Sequence, residues 1–244
     1  MSGQSLGLRR LALRRLALRR LVRASAVVLG AGLLLAGCGS VKFGAAATTS
    51  NDRITIATLT TEVTNLSQAV KQYPGTIQLS SAQETQETLT WLVRFQINDE
   101  LARQAGITVT PAESEAALAE IYAAAKSQAE AQGLTNVTLN LILAANGIPP
   151  NLAAEVGQYQ AIQNQFVRQV NGGQIPTSTS AQAATTAKLQ RAQCEAAKSL
   201  AIQINPQFGR LDYTQYQVVS APNPVAAPPG PAPTASPSGT APAC

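Results

Sequence analysis

Apolar residues at Ile56, Leu59, Val63, Leu66, Val70 and Tyr73 recur at intervals of 3, 4, 3, 4 and 3, which lines them along one face of an α-helix. Tyr73-Pro74-Gly75 stops that stretch. Ser80 or Ser81 then caps a second helix with Glu84 in its first turn. It runs through Leu89, Trp91, Leu92, Val93, Phe95, Ile97 and Leu101 to a stop at Gly106. These apolar residues point in several directions, so this helix is expected at the buried centre.

Thr110-Pro111-Ala112-Glu113 predicts a third helix, with Thr110 as N-cap, Pro111 in the first helical position and Glu113 closing a capping box. Leu118, Ile121, Tyr122, Ala125 and Ala129 share its inner face up to Gly133. A short helix is expected over Leu139–Ala145, ended by Asn146-Gly147. After Ile148-Pro149-Pro150 a further helix turns Leu152, Val156, Tyr159, Phe166 and Val170 inward and stops at Asn171-Gly172-Gly173. An alanine-rich helix over about residues 181–200 completes the helical set.

β-prone segments sit only at the two ends of this region. Ala45–Thr48 and residues 53–56 flank Ser50-Asn51-Asp52, a hairpin turn, while residues 202–204 and 216–219 follow the last helix. A sheet this small needs a third strand or a covering helix. The pattern therefore predicts a mainly α fold with a small β-sheet formed by N- and C-terminal strands, the helices being an excursion between two halves of one sheet.

Outside residues 45–220 the pattern changes. Residues 221–244 include eight prolines among Ala, Gly, Ser and Thr, and such a segment buries too little apolar surface to offset the entropy of ordering. It reads as a disordered tail: a spacer, an acceptor of sugars on Thr234, Ser236, Ser238 and Thr240, or a dispensable stretch. At the other end, seven arginines precede residue 24, an apolar run of 13 residues follows over 24–36, and Leu35-Ala36-Gly37-Cys38 comes next. That is the order of a signal peptide, and the run is shorter than the ~20 residues of a spanning helix.

Leu35-Ala36-Gly37-Cys38 resembles a bacterial lipobox. The resemblance implies cleavage before Cys38 and lipid on its thiol, with residues 1–37 removed and 38–44 left as a tether; an uncleaved interfacial anchor is the alternative. Three Leu-x-Leu-Arg-Arg copies (6–10, 11–15 and 16–20) make the charged region, and their twin arginines leave the export route open. Either way the expected location is the extracytoplasmic face of a bacterial cell membrane, where acyl chains contribute roughly 0.8 kcal/mol per buried methylene.

This reading changes the meaning of the charge. The formal net charge is +5, but from Cys38 onward 11 basic residues face 13 acidic ones, which gives 11 − 13 = −2. The basic character lies in the signal region, and nucleic acid is not an expected partner. The sequence contains no histidine, which removes His-based triads, imidazole acid/base chemistry and His-containing zinc sites. No cofactor, no metal and no enzyme activity are expected. Glu113 and Glu115 face apart, and Glu84 and Glu87 lie in a helix's first turn where carboxylates suit the dipole. With Cys38 lipidated, Cys194 and Cys244 are a possible disulfide pair in an oxidising compartment. The alternative is Cys194 as a small buried apolar group and Cys244 as an accidental thiol.

Two further features have competing readings. Trp91 and Phe95, one turn apart, are a contact for a client peptide or, more simply, core. Asn205-Pro206-Gln207-Phe208-Gly209 is a ligand loop or, more simply, a turn with Phe208 as its plug.

The segment Gly44-Ala-Ala-Ala-Thr-Thr-Ser-Asn-Asp-Arg-Ile-Thr leading into a helix, and the helix ending Glu100-Leu-Ala-Arg-Gln-Ala-Gly-Ile-Thr-Val-Thr-Pro-Ala-Glu, resemble the amino-terminal domain of SurA-type chaperones and related foldase lipoproteins. Ile204-Asn-Pro-Gln-Phe-Gly-Arg resembles the closing segment of actinobacterial lipoproteins of this type. The resemblance covers about residues 45–219 and implies a chaperone domain. Complete members carry a parvulin-type prolyl isomerase domain after the return helix. Here only residues 171–180 stand there, against the ~50 residues a domain needs, so isomerase chemistry is not implied. The expectation is a lipid-anchored chaperone or foldase-like lipoprotein that holds unfolded exported polypeptides on exposed apolar surface. The alternative is a cell-envelope assembly or scaffold lipoprotein with one specific partner. Client-binding residues and oligomeric state are not assigned.

Overall fold

The structure, a computed structural model, describes residues 44–220. The signal region, Cys38, the first residues of the tether and the segment 221–244 with Cys244 lie outside the described residues. Within them the chain is mainly α-helical with small antiparallel sheets. The strands are β1 (Ala45–Thr48), β2 (Arg53–Thr55), β3 (Gln203–Ile204), β4 (Arg210–Asp212) and β5 (Gln217–Val219). The helices are α1 (Ile56–Lys71), α2 (Ser81–Ala105), α3 (Pro111–Ala131), α4 (Leu139–Ala145), α5 (Ala153–Val170) and α6 (Thr179–Ser199), with a 3-10 turn at Pro150–Leu152.

The helix starts follow from capping chemistry. The Thr110 hydroxyl accepts from the Glu113 amide and the Glu113 carboxylate accepts from the Thr110 amide, the full capping box. For α2 the cap is Ser80, and its box partner is Gln83 rather than Glu84. Gly106 ends α2 at φ 65°, a left-handed conformation that a side chain disfavours. Helix α2 carries buried residues on several sides. Its Leu89, Val93, Ile97 and Leu101 form the spine of the main core with Ala46, Ala47, Ile54, Leu59, Ile162, Phe166, Ala196, Ala197 and Val218. Two smaller clusters sit beside it: Leu66, Ala69, Ile77, Leu141 and Ala144 between α1 and α4, and Phe95, Leu143, Ile148, Leu152 and Val156 at the end of α4.

The two ends of the domain close on each other as the sequence predicts. β1 pairs antiparallel with β2 and, on its other edge, with β3, so the sheet order is β2-β1-β3. All six helices lie in sequence between β2 and β3. Closure is reinforced beyond the two-residue β3 ladder. The Asn205 amide N–H donates to the Ala46 carbonyl at 2.9 Å and its side-chain Nδ2 to the Ala45 carbonyl at 3.1 Å, while Ser50 N–H donates to Leu200 O at 2.7 Å.

Residues 216–219 depart from expectation, because they do not join this sheet. β5 pairs instead with β4 in a separate two-stranded sheet. Asn205 uses up the β1 carbonyls, Pro206 has no N–H to continue the ladder, and the chain turns away through Phe208 and Gly209. Phe208 packs against the main core, so the loop read from Asn205 to Gly209 is structural. β5 then reaches α2 through a side chain: the buried Val218 N–H donates to Thr90 Oγ1 at 2.9 Å.

Candidate functional site

Among the described residues a cleft of about 440 Å³ opens between α2, α5, α6 and the β4–β5 hairpin. It is lined by Arg94 and Ile97 from α2, Tyr159 from α5, Gln190 and Gln193 from α6, and Thr214, Gln215 and Tyr216 from the hairpin turn. The wall is polar, dominated by side-chain amides, phenols and one guanidinium.

Arg94 builds one side of it. Its Nε donates to Tyr216 O and its Nη2 to Gln215 O, both at 3.1 Å, so a single fork satisfies two carbonyls of the turn. Its guanidinium also lies 5.1 Å from the centroid of the Trp91 ring. The turn is held from within by Asp212, whose Oδ1 accepts from Thr214 N–H at 2.8 Å and Thr214 Oγ1 at 2.6 Å. The Thr214 hydroxyl and amide hold that carboxyl below the usual range. Tyr216 adopts φ 50°, uncommon for a residue with a side chain, and its hydroxyl donates to Gln190 O at 3.1 Å. Burial pushes the Tyr213 and Tyr216 phenols up, so both stay protonated donors at neutral pH.

The aromatic residues singled out in the sequence stand at the inner end of this wall. Trp91 and Phe95 both meet Tyr159 edge to face, at 5.8 and 6.1 Å between centroids. Trp91 Nε1 donates to Asn146 O at 3.1 Å, which fixes it in the third apolar cluster. The pair is packing that positions Tyr159. Glu113 is engaged in its capping box and accepts from Gln165 Nε2 at 3.0 Å.

In comparisons with known proteins, no family model, no curated protein and no solved structure matches this chain. What can be said of the site therefore rests on its own chemistry. The side-chain amides of Gln190, Gln193 and Gln215 and the hydroxyl of Tyr159 make no hydrogen bond with the described residues. They are donors and acceptors turned toward the cleft with nothing fixed to answer them. No described groups of three or more His, Cys, Asp or Glu side chains are placed to hold a metal, and no described helix is long and apolar enough to cross a membrane.

Cys194, on α6 one residue beyond Gln193 and one turn beyond Gln190, is buried and disulfide-bonded. Its partner lies outside the described residues, as do Cys38 and Cys244.

The sequence singled out neither Arg94 nor the glutamines. The available signal was Arg94 as the cation inside the apolar run from Leu89 to Ile97, together with the amide and phenol repeat Tyr213-Thr214-Gln215-Tyr216-Gln217.

A second polar cluster locks α2 to α6. Glu100 accepts from Arg103 Nε at 2.7 Å, Gln104 Nε2 at 2.7 Å and Ser199 Oγ at 2.8 Å. Its carboxyl is held down at about 2, first by the hydrogen bond from Arg103, which outweighs the upward push from burial, with Ser199 and Gln104 each lowering it by less. A lowered carboxyl stabilises the fold above its unfolded value and loses that effect as pH falls toward the folded one. Glu100→Gln is therefore expected to lower the melting midpoint by about 3 °C at pH 7. The gap from the parent should close between pH 4.5, the unfolded value, and pH 2. Melting curves at several pH values read this directly, and a gap unchanged at the acid end would contradict it.

Proposed function

We propose that the protein is a lipid-anchored, extracytoplasmic holding protein for exported polypeptides, of the kind the SurA-type resemblance implies, acting without isomerase or other covalent chemistry. The cleft carries this reading: amide, phenol and guanidinium groups with uncommitted hydrogen-bonding capacity suit the repeating N–H and C=O groups of an extended chain. The closure of the helical excursion by β1 and β3 supports the same reading. Large apolar side chains exposed among the described residues are Leu134 and Ile175, which is little for the apolar cradle expected from the sequence. The grip proposed is therefore on the client backbone, with Tyr159 and Tyr216 supplying flat surfaces for its side chains.

Light scattering of an unfolded exported polypeptide tests this. Stoichiometric excess of the mature lipoprotein should delay aggregation, and Gln190→Ala combined with Gln193→Ala should shorten the delay several-fold without changing the melting midpoint. No delay at excess would remove the proposal. The shortage of exposed apolar surface also favours a second reading, a scaffold lipoprotein for one envelope partner. Crosslinking from the cleft in intact cells separates them: many unfolded chains support holding, one stoichiometric partner supports the scaffold.

A further inference from the structure

The wall of the cleft carries one formal charge and nothing of opposite sign to meet it. Arg94 stands on α2 among Leu92, Val93, Phe95 and Ile97 and is half-buried. The ion pairs among the described residues are Arg103–Glu100 and Lys126–Glu130, and no Asp or Glu is among the described residues that line the cleft. A guanidinium withdrawn from water ordinarily pairs with a carboxylate. Here its partners are two carbonyls and a ring.

Those contacts decide what the cation can still bind. A guanidinium is a planar fork of five N–H groups, with two edges suited to a two-pronged acceptor. The side edge, Nε with Nη2, is taken by the Tyr216 and Gln215 carbonyls at 3.1 Å each. The end edge, Nη1 with the second N–H of Nη2, has no acceptor among the described residues. Its plane is set by the hairpin turn and by the Trp91 ring, whose centroid lies 5.1 Å from the guanidinium carbon. The open edge is therefore oriented before a ligand arrives.

We propose that this edge binds the α-carboxylate at the carboxy-terminal end of a polypeptide, so that the cleft takes client chains by their last residues. The proposal rests on the reading of the cleft as a binder of extended polypeptide and adds which part of the chain is gripped. Carboxylate is the anion that matches: its two oxygens fit the end edge bidentately, and its single charge balances a single cation. A phosphate dianion would leave one charge without a partner. The end of a chain fits the other groups as well. Beside its carboxylate a terminal residue carries an amide N–H and the carbonyl of the residue before it, and the uncommitted amides of Gln190, Gln193 and Gln215 answer both kinds of group. At about 440 Å³ the cleft falls in the size class of small-ligand sites, which suits a chain end better than a long internal stretch.

Calorimetric titration of the full chain, recovered from an exporting host, tests this with three N-acetylated peptides of about eight residues. One is an uncharged sequence ending in the free acid, one the same sequence ending in the amide, and one that amide with an internal Asp. The acid should bind at least about tenfold more tightly than the amide at low salt, with the margin shrinking as salt is raised. The Asp peptide should bind like the plain amide. Arg94→Gln, and Gln193→Glu, which sets a carboxylate in the cleft, should each bring the acid to the level of the amide. Amide exchange of Val218, bonded to Thr90, reports whether the hairpin has stayed in place, and Gln193→Glu carries the test if Arg94→Gln loosens it. Equal binding of acid and amide would overturn the chain-end grip and leave the holding reading standing, whereas no binding of any peptide would remove both. An Asp peptide that binds as tightly as the acid would assign the anion to side chains instead, and an acid preference that survives Gln193→Glu would place its anchor away from Arg94; either result overturns the proposal.

Discussion

Leu89→Ala is expected to lower the unfolding free energy by about 3 kcal/mol, within the range for truncating a fully buried leucine. Leu89 has no exposed surface and stands in the main core with residues of β1, α1, α5 and α6. The loss combines the transfer energy of the removed methyl groups with the void left among neighbours that other elements hold in place. Urea unfolding of the variant and the parent gives the difference from their midpoints. As a control, Leu134→Ala removes a side chain that is 43% exposed and should change stability by less than about 0.5 kcal/mol. Equal costs at the two positions would mean that α2 is not the central element.

Gly209→Ala is expected to detach the β4–β5 hairpin at a cost of about 3 kcal/mol. Gly209 has φ 125°, and a Cβ there would lie 2.2 Å from Val219 O. Both the backbone conformation and the approach to β5 exclude a side chain. The strain falls on β5, because Val219 is paired with Arg210 there, while the helices are untouched. Loss of the hairpin also frees the Arg94 fork and removes Thr214, Gln215 and Tyr216 from the cleft wall. Amide exchange reports this selectively: protection of Val218, whose N–H is bonded to Thr90, should fall at least tenfold, while protection of Val93 and Ile97 stays close to that of the parent. Unchanged protection at Val218 would contradict the tight approach at Gly209.

The helices were readable because each carries a local signal. Thr110-Pro111-Ala112-Glu113 specifies a start through its own hydrogen bonds, and the Leu139–Ala145 helix is bounded by Thr138, which caps it, and by Asn146 and Gly147. The pairing of the two ends of the helical domain was legible because β-prone segments occur only there. The second sheet was not. Arg-Leu-Asp over Arg210–Asp212 is too short and too charged to read as a strand, with no β-branched residue, and it becomes one because Asn205 ends the first sheet and Gly209 redirects the chain. The cleft was missed for a related reason: Arg94, Tyr159, Gln190 and Gln215 come from four separate elements, and glutamine carries no motif. Its role is set by what it is left facing.

Backbone NOEs across β1 and β3 in the mature protein test the closure on which the account of the fold rests. Cross-strand contacts between Ala47 and Ile204 and between Thr48 and Gln203 are expected from the antiparallel register, together with slow exchange of the Asn205 amide that donates to Ala46. Absence of both contacts, with the Asn205 amide exchanging as fast as a free peptide, would show that the two ends do not meet, and the helical body would need another means of closure.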